Sequence, residues 1–133
     1  MILYEVMCIA TAIYFEARGE PIAGRFAVAQ VVMNRTTDPR YPSDACSVVY
    51  DGGETRNECA FSFYCDGKSD QPDLNSVSWY SAQLIAQAVY EGRSAPVVGD
   101  ATHYHAVWVH PDWARSGYVV ATIDSHVFYR GVK

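Results

Sequence analysis

The chain has 133 residues, half of them hydrophobic, with a mean hydropathy of −0.08, which suits one globular domain over residues 1–133 with a buried core. Fifteen acidic against ten basic residues leave a net charge of −5 with no basic stripe, which argues against nucleic acid as a partner. No run approaches the ~20 apolar residues of a membrane-spanning helix, and neither a glycine-rich phosphate loop nor a Gly-x-Ser-x-Gly elbow occurs.

The first predicted element is a helix from about Leu3 to Arg18, with an uncharged stretch from Met7 to Ile13. Ile9, Ala12 and Ile13 share a helical face with Glu16, so a carboxylate ends an apolar stripe. Gly19 is expected to cap this helix and Pro21 to stop it. An ionised carboxylate beside apolar neighbours is poorly solvated, so its pKa rises, as a general acid at neutral pH requires. A surface Glu16 paired with Arg18 or Arg25 is the plainer alternative. The N-terminus carries Glu5 and lacks a basic leader region, so it reads as helix and not as a signal peptide.

A second helix follows from about Ile22 to Arg35, apolar almost all round through Phe26, Ala27, Val28, Val31 and Val32, hence central. Residues 41–73 read as irregular, with a short apolar stretch at Val48-Val49-Tyr50 and an aromatic run, Phe61-Ser62-Phe63-Tyr64, too apolar for a solvated loop. Of the four cysteines, Cys8 reads as a buried thiol inside the first helix, while Cys46, Cys59 and Cys65 are the better bridge candidates. Their spacings match no structural zinc motif.

A third helix fits Trp79 to Glu91, with Ser76 or Ser78 as N-cap and a stop at Gly92; Trp79, Ala82, Ala86 and Val89 form its stripe. Strands are then expected over Thr102–Val109 and Tyr118–Thr122, broken at His110-Pro111-Asp112. A helical first part with a small antiparallel sheet in the C-terminal third makes the class α+β.

Glu20 is the candidate second carboxylate, since two-carboxylate glycosidases need the pair about 5–9 Å apart; Asp66 is another, and Glu20 could equally cap the second helix or orient Arg18. His103 and His105 alternate to one face of a strand, a weak zinc pattern for want of clear third and fourth ligands. Cys65 is a poor nucleophile beside Asp66 and Asp70. Ten tyrosines and three tryptophans suit a carbohydrate or peptide groove as well as plain packing.

Several segments taken in order resemble one family: Ala12-Ile13-Tyr14-Phe15-Glu16-Ala17-Arg18-Gly19-Glu20, Gly24 with Val28 to Arg35, Tyr41-Pro42, Val48-Val49-Tyr50, Phe61-Ser62-Phe63 with Cys65-Asp66-Gly67, Ala101 to His105, Pro111-Asp112-Trp113 and His126 to Tyr129. The chain resembles the cell wall hydrolases of the SleB and CwlJ type over about residues 8–130. The resemblance implies a small lysozyme-like α+β catalytic domain cleaving the N-acetylmuramic acid–N-acetylglucosamine bond of peptidoglycan. It implies a lytic transglycosylase with one essential glutamate, at Glu16, and a groove in which Ser62, Phe63, Tyr104, His105, Trp113 and His126 are candidates. No cofactor, metal, nucleic acid or membrane span is implied, and a monomer acting on glycan strands is expected. The chain shows no separate binding domain, and the cysteines flank the aromatic loop, so a phage endolysin released at lysis or a trimmed secreted enzyme, acting on the wall from the periplasm or outside, fits better than a spore-cortex enzyme. Two other readings are a metal-dependent peptidoglycan amidase or peptidase using His103, His105 and a carboxylate, and a non-catalytic glycan-binding module.

Overall fold

The computed structural model describes residues 2–52 and 59–133. Its elements are α1 (Ile2–Ala17), α2 (Ile22–Thr36), α3 (Ala45–Val49), α4 (Val77–Tyr90), β1 (His103–Ala106), β2 (Tyr118–Ile123) and β3 (His126–Arg130), with 3-10 turns at Ser62–Cys65 and Asp112–Ser116. The class is α+β: a helical body and a three-stranded antiparallel sheet of order β1-β3-β2.

The uncharged run of α1 is its packing surface. Ile9, Ala10, Ala12 and Ile13 are fully buried against α2, α3 and α4. Gly19 does not take the left-handed conformation expected of a capping glycine; the Glu20 N–H closes the end on the Ala17 carbonyl at 2.9 Å, and Pro21 prevents continuation. The end of α4 does follow the glycine rule. Gly92 sits at φ 71°, and the Arg93 N–H returns to the Ala88 carbonyl at 2.9 Å. Ser76 caps its start by accepting from the Trp79 N–H at 3.1 Å.

Besides Gly19, three features differ from the sequence reading. Val48 and Val49 belong to α3, whose first turn is held by Asp44 accepting from the Ser47 N–H at 2.8 Å and by Glu5 of α1 accepting from the Ala45 N–H at 2.6 Å. Cys8 is not a free thiol but bridges to Cys46, pinning α1 to α3, while Cys59 pairs with Cys65. The sheet has a third strand, β3, between the two expected ones. Of the stretch 41–73 expected to be irregular, residues 53–58 lie outside the described residues.

Two apolar clusters result, one among the helices and one between α2 and the sheet, where Ala27 and Val31 meet Val98, Ala101 and Phe128. Tyr104 of β1 packs against both.

Candidate active site

Glu16 ends the buried stripe of α1 while its own side chain remains partly open to solvent. The Tyr104 hydroxyl donates to Glu16 Oε1 at 2.6 Å. Burial raises the Glu16 pKa above its ordinary value. The Tyr104 hydrogen bond opposes that rise, followed by the charge of His126, the Phe63 backbone N–H and the charge of Arg35. Burial and the adjacent Glu16 also push Tyr104 well above its ordinary value, so the phenol stays a neutral donor. A carboxyl raised by desolvation yet hydrogen-bonded as its anion can both give up and retake a proton.

Tyr104 reaches Glu16 because α2 fixes the segment that leads into β1. Gln30 donates to the Ala95 carbonyl at 2.8 Å and accepts from the Val97 N–H at 2.9 Å. Asn34 donates to the carbonyls of Gly99 (2.9 Å) and Ala101 (2.8 Å), and Arg35 Nε donates to that of Thr102 at 2.8 Å. Arg35 is buried, its guanidinium 4.9 Å from the ring centroid of Tyr41 and 5.4 Å from that of Phe61; burial lowers its pKa. Gln30 and Arg35 belong to a segment that carries the family resemblance but were not among the site candidates named from sequence, where α2 reads as nearly all apolar. The legible signal was a polar Gln30-Asn34-Arg35 face interrupting that run.

The aromatic run brings Phe63 to the site. Phe63 is buried and stacks on Phe15, the neighbour of Glu16, with centroids 5.0 Å apart and planes at 14°. Ser62, in the same 3-10 turn, is exposed. The Cys59–Cys65 bridge spans this turn.

His126, at the start of β3, sets its ring edge-on to Tyr104 with centroids 5.1 Å apart. Behind it Glu20 accepts from the Ser125 hydroxyl at 2.6 Å and lies 3.4 Å from His126 Nδ1. Glu20 is thus engaged with the β2–β3 turn, and Arg18 instead lies over the Tyr14 ring at 4.4 Å.

His105 and Trp113 fall elsewhere. Side chains alternate along β1, so Tyr104 faces Glu16 while His103 and His105 face the other side. There both contact Trp113, at 4.9 and 5.6 Å between centroids. His105 Nε2 pairs with the Tyr129 hydroxyl at 2.8 Å, and His103 pairs with Thr102 (2.9 Å) and Tyr41 (3.2 Å). A pocket of about 420 Å³ on that side is lined by His105, His110, Asp112, Arg115 and Tyr129. Among the described residues, no three His, Cys, Asp or Glu side chains gather as metal ligands. Of the sequence candidates, Glu16, Phe63, Tyr104 and His126 therefore come together with Glu20 behind them, Ser62 lies at the surface beside Phe63, and His105 and Trp113 share the opposite sheet face.

Comparison with known proteins adds an independent line. The family model described as cell wall hydrolase matches residues 19–129, beginning just past Glu16. The spore cortex-lytic enzyme of Halalkalibacterium halodurans is 30% identical over 130 residues, covering 93% of this chain and 34% of that protein. That of Oceanobacillus iheyensis is 30% identical over 131 residues, covering 93% of this chain and 41% of that protein. The chain therefore spans between a third and two fifths of the length of these relatives. Among solved structures, the catalytic domain of the germination-specific lytic transglycosylase SleB from Bacillus anthracis superposes with a TM-score of 0.71 at 26% identity, covering 95% of this chain and 93% of that one. The catalytic domain of Bacillus cereus SleB gives 0.70 at 24%, covering 95% and 89%, a likeness of fold.

Proposed function

The chain belongs to the cell wall hydrolase family of the SleB and CwlJ type, and from that membership we propose that it cleaves the N-acetylmuramic acid–N-acetylglucosamine bond of peptidoglycan as a lytic transglycosylase, with Glu16 as the single general acid and base. The observation that carries the reading is the Glu16 carboxyl itself: partly open to solvent, raised by burial, and bonded by Tyr104 at 2.6 Å.

In this mechanism the protonated Glu16 gives its proton to the glycosidic oxygen as the bond from that oxygen to C1 of the muramoyl sugar breaks. The departing glycan leaves with a new hydroxyl, and positive charge develops on the sugar ring, where the sugar's own N-acetyl group can assist. The Glu16 carboxylate, its charge held by Tyr104 and the Phe63 N–H, then takes the proton from the muramoyl 6-hydroxyl as that oxygen bonds to C1. The product is a 1,6-anhydro sugar, no water is consumed, and Glu16 ends protonated for the next cycle. His126 and Phe63 shape the immediate surroundings of this carboxyl, and Ser62 stands exposed beside them.

The test is Glu16→Gln assayed on purified peptidoglycan. A positioned general acid contributes roughly 10²–10⁴-fold, so turbidity loss should slow by that order in a variant whose circular dichroism matches the parent. A folded variant that clears peptidoglycan at the parent's rate would remove Glu16 from the mechanism.

A further inference from the structure

Glu20 has a partner set that the mechanism above does not use. Its side chain is 12% exposed and bonds the Ser125 hydroxyl at 2.6 Å and the Ser125 N–H at 3.4 Å. It lies 3.4 Å from Nδ1 of His126, whose side chain is 13% exposed. That Nδ1 is buried and makes no hydrogen bond of good geometry, so Glu20 is the polar group it faces. The His126 ring stands edge-on to Tyr104, and Tyr104 bonds Glu16. The order Glu20, His126, Tyr104, Glu16 is therefore continuous from the loop after α1, through the start of β3 and across β1, back to the end of α1.

The backbone is shaped to permit this path. Gly24 of α2 is buried, and a Cβ there would meet Glu20 Cβ at 3.1 Å and Ile123 Cγ2 at 3.6 Å. The side chain of Glu20 thus lies over α2 where only glycine leaves ordinary contact distance. Asp124 takes the left-handed conformation, φ 48°, in the tight β2–β3 turn that presents Ser125 and His126. Arg25 Nε holds the Glu20 backbone carbonyl at 2.9 Å, fixing the main chain from which the side chain departs.

We propose, building on the function given above, that Glu20 is a positioning residue: by holding Ser125 and His126 it sets the His126 ring against Tyr104 and so seats the Tyr104 hydroxyl on Glu16. The groups acting on Glu16 are Tyr104 from β1, His126 from β3, the Phe63 N–H and Arg35 from α2; Glu20 reaches it through His126. The sign is diagnostic. Removing a nearby negative charge would by itself lower the Glu16 pKa, whereas loosening Tyr104 weakens the hydrogen bond to the Glu16 anion and raises it.

The experiment compares Glu20→Gln and Glu20→Ala with the parent, using solubilised glycan strands for kcat and KM across pH and ¹³C NMR titration of the Glu16 carboxyl. Glu20→Gln retains an acceptor for the Ser125 hydroxyl, so it carries the test if Glu20→Ala does not fold. The expected result is an upward shift of the Glu16 midpoint and of the alkaline limb of activity, with kcat reduced roughly 10- to 100-fold and KM little changed. A folded Glu20→Gln with the parent's midpoint and kcat overturns the proposal, as does one that only melts earlier while both stay fixed. An inactive Glu16→Gln alongside an unshifted Glu20→Gln defeats the positioning role alone, whereas a fully active Glu16→Gln defeats the underlying reading as well.

Discussion

Glu16 is held in a balance that raises its pKa above that of a free carboxyl. Burial is the largest influence, and the Tyr104 hydrogen bond, the charges of His126 and Arg35, and the Phe63 N–H offset only part of it. A carboxyl whose pKa is higher in the folded than in the unfolded chain destabilises the fold once it ionises. The loss begins as pH rises past the ordinary value near 4.5 and is complete above the raised folded value. Glu16→Gln should therefore match the parent's melting temperature in acid and exceed it increasingly towards neutral pH. The gain amounts to ~1.4 kcal/mol for each unit by which the carboxyl is raised. Thermal melts of both proteins from pH 4 to pH 8 would check this, and a pH-independent difference would contradict it. His103 titrates in the opposite sense: burial and the charges of Arg35 and Arg40 lower it to about 4. Its neutral form supports the fold above its ordinary value near 6.5, and that support is lost as pH falls towards 4. Glu16 was legible in the sequence because its apolar neighbours stand one turn away in the same helix. The partners of Glu20 were not, because Ser125 and His126 are 105 residues or more distant and no local pattern links them.

At the scale of elements, α1 supplies both the core and the carboxyl, and its position depends on what clamps it. The Cys8–Cys46 bridge ties it to α3 across 38 residues of chain. In the chain-entropy model a loop of that length is worth about 4 kcal/mol, and the six-residue span of Cys59–Cys65 about 2 kcal/mol. Replacing Cys8 and Cys46 together by Ala should consequently cost more stability in urea denaturation than replacing Cys59 and Cys65. The second pair of substitutions frees the turn that carries Phe63 and should weigh more heavily on activity. Equal stability losses would show that the bridges do not act through loop closure. Long periodic helices were readable from sequence; α3 was not, since five residues show no period, and besides its local N-cap Asp44 its first turn is held by Glu5 from a different helix. The third strand escaped for a related reason. β3 is paired on both edges and mixes buried and half-buried positions, so it lacks a clean alternation. Alternation was visible in β1, but which of Tyr104 and His105 faces the carboxyl depends on register with β3, and that is a tertiary fact.

Across the whole molecule, the helical cluster and the sheet cluster meet at Tyr104, so the bond to Glu16 lies at the seam between them. The polar residues of α2 serve the same seam by fixing 94–102, which explains why a central helix carries a buried Arg35. No helix among the described residues is long and apolar enough to cross a membrane, and the chain belongs to a cell wall hydrolase family. Two disulfides suit an oxidising setting outside the cytoplasm. In the proposed reaction the Glu16 carboxyl alone moves a proton from itself to the glycosidic oxygen and takes one back from the muramoyl 6-hydroxyl. Mass spectrometry of muropeptides released from purified peptidoglycan distinguishes this course from hydrolysis. Products ending in 1,6-anhydro-muramic acid, one water lighter than hydrolysis products, are the predicted result, and products with reducing muramic acid ends would contradict it.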